Sequence, residues 1–305
     1  MASQEPRRLS AIVLNYRTPA LVLRCLEALL PQLDPARDAA LVVDNGSGDG
    51  SAAELGRALA RRGWPARLVA AERNGGFASG MNLGIRVAPA RSYLLLNSDA
   101  VPRPGAVLAL RERLAREPGV GLVGPRLEAE DGAPQLSAFR FPSPLSELLE
   151  AARTGLLARH QVPVWPESRA EQGGDIDWLS FAAVLIRARL LEEVGLLDDG
   201  FFMYYEDVEL CRRARRAGWR LALEPQARVA HVGGASSRGR GASERRARWR
   251  AASRRRYFLG EGPGRLLAAN LGRTLGSGLS WLRDVLGPRP PALEALSLRQ
   301  TWRPD

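Results

Sequence analysis

Asn97-Ser98-Asp99 follows the apolar run Leu94-Leu95-Leu96, so a strand ends in a carboxylate. At the rim of a sheet, Asp99 suits a divalent cation that also bridges phosphate oxygens. Mg²⁺ is usually held by one or two protein carboxylates plus substrate phosphates. Asp99 suits a turn equally well, and Pro102 and Pro104 follow closely. Glu206-Asp207 is a second carboxylate pair, placed after the aromatic run Phe201-Phe202-Met203-Tyr204-Tyr205. One of the two can serve as a general base. Desolvation and a like-charged neighbour raise a carboxyl pKa, while a helix N-terminus lowers it. Acidic residues there also simply complement the helix dipole. His231, one of two histidines, precedes Val232-Gly233-Gly234 and is either structural or a ligand. His160 sits in an irregular stretch with no evident role.

These residues need elements to hold them. Apolar, β-rich runs at Leu9–Leu14, Ala40–Val43, Arg67–Ala70, Tyr93–Leu96 and Val120–Val123 read as strands. Helical spacing separates them over Pro19–Leu30, Ala52–Arg62, Phe77–Val87 and Val107–Arg116. Such alternation predicts βαβ units around a mainly parallel sheet, an α/β fold. Each early strand ends in or leads to a polar cluster: Asn15-Tyr16, Asp44-Asn45-Gly46-Ser47, Asn74-Gly75-Gly76 and Asn97-Ser98-Asp99. Each cluster alone is a turn signal. Parallel topology brings all four to one edge, outside the carboxyl ends of the strands, where open α/β sheets bind ligands. Phe141–Asp175, broken by four prolines, reads as loops with a short helix over the sheet. Structure resumes at Trp178–Ile186. Helices follow at Ala188–Val194 and Glu206–Ala217, the latter ending on Gly218. Arg228–Ala230 is a last short strand.

The chain has 305 residues and a formal net charge of +11. It contains no lysine, and the charge is concentrated locally: Ser236–Arg256 holds nine arginines against one glutamate. Two cysteines, Cys25 and Cys211, fall in amphipathic helices and read as core residues of a reducing compartment. The polar, charged start carries no signal peptide pattern, and no apolar stretch approaches the roughly 20 residues of a membrane span. The expectation is a cytoplasmic protein. Neither a Walker loop nor the three-glycine dinucleotide spacing occurs, which excludes the usual signatures of P-loop and hydride-transfer enzymes.

Taken in order, Asn15-Tyr16, Asp44-Asn45-Gly46-Ser47, Asn74-Gly75-Gly76-Phe77, Asn82, Asn97-Ser98-Asp99, Tyr205-Glu206-Asp207, Gly218 and His231 resemble the family 2 glycosyltransferases. The chain looks most like the bacterial rhamnosyltransferase-type subgroup with the GT-A fold, over about Leu9 to Ser237. The resemblance implies a GT-A catalytic domain over residues 1–235, and the remainder, 236–305, reads from its composition as an Arg-rich segment and an amphipathic helical C-terminal extension. It implies that Asp44 contacts the nucleotide base or ribose. Asn15, Tyr16, Asn45, Asn74, Gly75, Gly76, Asn82 and Asn97 would belong to the same nucleotide-sugar site. Asp99 would hold Mg²⁺ or Mn²⁺ against the donor diphosphate, with His231 a further metal or diphosphate contact. Asp207 would be the base, supported by Glu206, with Trp178, Phe181 and Tyr205 on the acceptor side. The chain departs from the pattern at Ser180-Phe181-Ala182, where a bulky ring replaces the family's usual glycine, and at Glu209. The implied reaction is inverting transfer of a sugar, L-rhamnose from dTDP-rhamnose, with a UDP-sugar the other candidate donor. The acceptor would be a hydroxyl of a polysaccharide or polyprenyl-linked saccharide.

Leu267, Leu271, Leu275, Leu279, Leu282 and Leu286 share one helical face, with Arg265, Arg273 and Arg283 among the polar positions. This pattern reads as a basic amphipathic anchor for peripheral association with an anionic membrane, or as a helix packed on its own domain or in a dimer. Two other functions compete with sugar transfer. A sugar nucleotidyltransferase would want a glycine-rich basic loop after the first strand, and Asn15-Tyr16-Arg17-Thr18-Pro19 lacks the glycines. A nucleic-acid-binding protein using the Arg segment has no need for Asp99 or Asp207, and only Trp249 and Tyr257 could stack there.

Overall fold

A computed structural model describes residues 7–153, 176–233 and 242–286. The expected alternation is present: β1 (Leu9–Asn15), α1 (Pro19–Leu29), β2 (Asp38–Asp44), α2 (Ser51–Arg62), β3 (Ala66–Ala70), α3 (Gly76–Val87) and β4 (Ser92–Asn97). β1 is buried on both faces, which is why its sequence is a continuous apolar run rather than an alternating one. α1 starts with Pro19 in its first turn and buries Val22, Cys25, Leu26 and Leu29, a stripe at spacings of three and four. α2 stops at Gly63, whose φ of 60° provides the left-handed cap.

The chain continues through β5 (Ala100–Pro102), α4 (Ala106–Arg116), β6 (Val120–Glu128), β7 (Pro134–Gln135), β8 (Ala138–Phe139) and α5 (Pro144–Ala152). After residues 154–175, where His160 lies outside the described residues, come β9 (Trp178–Leu179), β10 (Ala183–Arg187) and α6 (Ala188–Val194). α7 (Glu206–Arg216), β11 (Arg220–His231), α8 (Ala242–Gly260) and α9 (Pro263–Leu286) complete the order.

The main sheet runs β3-β2-β1-β4-β10-β6-β11-β5, with β7 on β6. β3, β2, β1 and β4 are parallel neighbours. β10 enters antiparallel between β4 and β6, β11 runs parallel to β6, and β5 returns antiparallel on β11. Register places Asn15 opposite Asp44 and Leu14 opposite Asn97, so the polar strand ends share one edge. Ile12, Leu95 and Val184 lie in register across the sheet centre, and all three are fully buried.

Trp178–Ile186 is shared between two sheets. Trp178 and Leu179 pair with β8 in a separate two-stranded sheet, and Ala183 joins the main sheet. The intervening turn serves both: Ser180 N–H donates to Ser137 O at 2.9 Å, and Asn97 N–H donates to Ala182 O at 2.9 Å. The short helix expected within Phe141–Asp175 is α5. Ser143 and Ser146 cap it reciprocally through side chain and backbone. Both cysteines are buried thiols.

The described residues form two compact units, one within Met1–Arg140 and Pro163–Ser253, the other within Phe141–Val162 and Arg254–Asp305. In the second, α9 pairs with α5. A Cβ at Gly272 or Gly276 would collide with the carbonyl oxygens of Pro144 and Leu148, so the close approach requires glycine. Buried Glu147 accepts from Arg254 at 2.7 Å and from Arg273 at 3.3 Å.

Candidate active site

The strand-end edge of the first unit carries a cavity of about 280 Å³. Its nucleating contact is long-range. β5 begins immediately after Asp99, and β11 ends at His231. Antiparallel pairing sets His231 opposite Ala100, leaving His231 Nε2 3.6 Å from Asp99 Oδ1. Val232 N–H donates to the Asp99 carbonyl at 3.3 Å and closes the corner. Asp99 and His231 both line the cavity, and Asp99 is 6% exposed.

Glu206 and Asp207 enter from the first turn of α7 and line the same cavity. Burial pushes the Glu206 carboxyl well above the ordinary carboxylate range, and the neighbouring Asp207 charge pushes it further. Oε2 of Glu206 is buried with no hydrogen-bond partner among the described residues. Burial also raises Asp207, to about 6, against the pull of backbone N–H groups of Val208 and Phe181. Asp207 keeps part of its surface open, so its desolvation is the less complete of the two. Burial therefore raises both carboxyls, and it is the more complete at Glu206.

The two residues before α7 carry backbone strain. Tyr204 and Tyr205 have φ of 71° and 70°, a left-handed conformation unfavourable for aromatic residues. Neighbours on two sides hold this segment. Phe77 N–H donates to Phe202 O at 2.9 Å, and Gly76, at φ 88°, lies so close that a Cβ would strike that carbonyl. From α8, Ser253 Oγ donates to Met203 O at 2.9 Å. Trp249 packs on Phe202 with centroids 4.9 Å apart, and Arg250 lies 4.9 Å over the Tyr204 ring. Met203 and Tyr204 are thereby presented to the cavity.

The opposite wall is built by β1, β2 and α3. Asn45 Nδ2 donates to Asn74 Oδ1 at 3.1 Å and to Gly76 O at 2.9 Å. Tyr16, Asn45, Asn74 and Gly76 all line the cavity, as do Asn97 and Phe181. Asn15 and Asp44 do not line it. Asp44 Oδ1 accepts from Asn15 Nδ2 and from Ser47 Oγ, each at 2.6 Å, while Oδ2 accepts from Ser47 N–H at 3.2 Å. Gly75, Trp178 and Tyr205 are also absent from the lining. Asn82 is buried and clamps the Leu197 backbone through both ends of its amide, at 2.8 and 3.1 Å. Trp178 stacks on Phe139 at 4.3 Å. Sequence reasoning did not assign Ser98, Ser180, Met203 or Tyr204 to the site, and all four line the cavity. The aromatic run was the available signal for the last two.

The donor set fits a divalent cation. Asp99 supplies a carboxylate and His231 an imidazole in one cavity, and no cluster of three or more His, Cys, Asp or Glu able to hold a metal exists among the described residues. Asp99 and His231 would be the residues to hold such an ion, and Mg²⁺ is usually held by one or two protein carboxylates together with substrate phosphates.

The family described as "Glycosyltransferase like family 2" matches residues 6–252. An N-acetylglucosaminyl-diphospho-decaprenol L-rhamnosyltransferase of Mycobacterium tuberculosis is 30% identical over 230 residues, 68% of this chain and 71% of that protein. Rhamnosyltransferase WbbL of Escherichia coli is 38% identical over 56 residues, 18% of this chain and 21% of that one. Among solved structures, the mannosyltransferase PcManGT from Pyrobaculum calidifontis, in complex with GDP-Man and Mn²⁺, superposes with a TM-score of 0.59 at 16% identity. It covers 98% of this chain and 81% of that chain. GalNAc-T7 with UDP, GalNAc and Mn²⁺ gives a TM-score of 0.58 at 13% identity, over 75% of this chain and 44% of that one. Both likenesses are of fold.

Proposed function

Since this chain belongs to the glycosyltransferase-like family 2, with the GT-A fold, we propose that it transfers L-rhamnose from dTDP-rhamnose, with inversion and with a divalent metal. The acceptor in this reading is a hydroxyl of a polyprenyl-linked saccharide or cell-surface polysaccharide. The named activity of the mycobacterial relative supports both sugar and acceptor class. The observation that carries the reading is a single cavity lined by Asp99 and His231 together with Glu206 and Asp207.

The nucleotide half of the donor falls to the β1–β2–α3 wall. Tyr16, Asn45, Asn74 and Gly76 face it there, while Asp44 and Asn15 hold the strand ends from below. Asp99 and His231 would hold Mg²⁺ or Mn²⁺, and such an ion would supply stabilisation of the charge developing on the departing diphosphate. Asp207, deprotonated, accepts the proton of the acceptor hydroxyl. The acceptor oxygen then forms a bond to the anomeric carbon as the bond to the diphosphate oxygen breaks, and that electron pair leaves with the nucleotide. One displacement inverts the anomeric centre. Glu206, whose carboxyl is raised by burial, supports Asp207 from the same helical turn. Phe181, which also lines the cavity, is assigned to the acceptor side in this reading. A peripheral position on the inner face of the cytoplasmic membrane, where a polyprenyl-linked acceptor resides, belongs to the same reading. No described helix is long and apolar enough to cross a membrane.

A thermal-shift panel with dTDP, UDP, GDP and ATP, with and without Mn²⁺, tests the donor assignment. Ligand at about 100 times its Kd adds roughly 2.7 kcal/mol of stability. The expected result is a Mn²⁺-dependent shift with dTDP that Asp99→Ala abolishes. Equal shifts with ATP and no metal dependence would overturn it. The anomeric configuration of the product, read by NMR, decides inversion.

A further inference from the structure

Seven of the eleven exposed large apolar side chains among the described residues lie on α9. They are Leu267, Leu271, Leu275, Leu279, Trp281, Leu282 and Val285, between 45% and 63% exposed. At 3.6 residues per turn they occupy an arc of roughly 160° that contains no charged residue. The side of α9 that is buried carries Ala269, Gly272, Gly276 and Ser280 instead. Gly272 and Gly276 are the residues in backbone contact with α5.

This arrangement is the reverse of a helix pair built for water, where large apolar side chains meet between the helices and polar ones face out. Helices in lipid gain nothing from placing leucines between them. They pack through small residues and leave the large apolar ones to the acyl chains. α9 follows the second pattern. It is too polar to span a bilayer, which leaves the interfacial plane, with the apolar arc sunk to the headgroup–acyl boundary.

Two further observations favour lipid over a second copy of the chain. The described residues of this unit carry seven arginines against four acidic residues, a surplus that attracts anionic headgroups. Trp281, a residue type favoured at that boundary, is among the most exposed of the seven. The leucine spacing also argues against a coiled-coil partner. Leu267, Leu271, Leu275 and Leu279 are separated by three successive steps of four, so the first half of the face departs from the 3.5-residue average of a heptad seam, while Leu275, Leu279 and Leu282 follow it. The side chain of Leu286 lies outside the described residues.

We infer that the leucine face of α9 is a docking surface for an anionic bilayer, entered by Leu267, Leu271, Leu275, Leu279, Trp281 and Leu282. This deepens the peripheral placement proposed above and is independent of the transfer chemistry.

The test uses the full chain with extruded vesicles of phosphatidylglycerol and phosphatidylcholine, and of phosphatidylcholine alone, read by flotation. The wild type is expected to float with the anionic vesicles. Leu271→Asp/Leu275→Asp, which alters only exposed side chains, is expected to lower that partitioning about 100-fold or more. Its circular dichroism and its thermal shift with dTDP and Mn²⁺ report separately on folding and on the nucleotide site. A wild type that stays in the soluble fraction overturns the proposal. So does a double variant that floats as well as wild type. A wild-type dimer by light scattering, converted to monomer by the double variant, with no flotation of either, assigns the face to a second copy instead. Loss of dTDP binding with flotation intact would sink the transferase reading and leave the docking surface standing.

Discussion

Asp207 and Glu206 are adjacent in sequence and yet differ in their access to water. With Asp207 as the proposed base, kcat/KM is expected to rise with pH through a limb near 6. Asp207→Asn should lower kcat by about 10²–10⁴-fold. It should also stabilise the fold in a pH-dependent way. The carboxyl is raised in the folded state from an ordinary 3.8 to about 6. Below 3.8 both states are protonated, and the burial of Asp207 carries no charge penalty. Above 6 the folded state holds an ionised, largely desolvated carboxylate, at a penalty on the order of 1–3 kcal/mol. Thermal unfolding of Asp207→Asn against wild type should therefore show a gain at pH 8 and none at pH 4. A variant less stable than wild type at both pH values would mean the carboxylate is structural. The sequence suggested both a general base and a helix-dipole partner at this pair. The structure adds that both residues line the cavity and that Glu206 Oε2 has no hydrogen-bond partner among the described residues.

At the scale of elements, α8 holds a strained loop in place. Its arginines gave the sequence its strongest charge run, but Trp249, Arg250 and Ser253 engage Phe202, Tyr204 and the Met203 carbonyl. With that grip loosened, Tyr204 and Tyr205 would relax from the left-handed region and shift the start of α7. Trp249→Ala is expected to lower kcat about tenfold or more, because small misplacements of a catalytic group are costly. Trp249→Phe should restore most of it, and donor KM should move little. Equal losses in kcat and donor KM would indicate a nucleotide-site effect instead. Gly76→Ala tests the same loop from the other side. The added Cβ meets the Phe202 carbonyl at a φ of 88°, and a strained backbone position of this kind costs roughly 1–3 kcal/mol. Chemical denaturation of the variant measures it. The glycines of α9 play a corresponding part against α5, where sequence showed them only as interruptions of a leucine series.

At the scale of the whole molecule, the sheet aligns the strand ends, and its core must be well packed to do so. Leu95, between Ile12 and Val184 in register, has no exposed surface. Leu95→Ala should lose about 2–5 kcal/mol, seen as a lower urea midpoint with an unchanged m-value. The strands and helices of the first half were legible from sequence, because period and capping are written within a few neighbouring residues. The clusters at strand ends were legible for the same reason, and parallel topology made their convergence an expectation. Local pattern does not say which member of a cluster faces a ligand. Asp44 and Asp99 each end or follow a strand, yet the Asp44 oxygens are occupied by Asn15 and Ser47 while Asp99 opens onto the cavity. His231 meets Asp99 only because β5 and β11 pair, an antiparallel register between segments far apart in the chain. The split of Trp178–Ile186 into β9 and β10 depends likewise on two different partner strands. The sequence by itself determined the elements, the polar edge and the family likeness. The tertiary structure decided which carboxylates face the cavity, what holds the aromatic loop and which side of α9 is left open. Those outcomes depend on hydrogen bonds and contacts between distant residues, which no local periodicity contains.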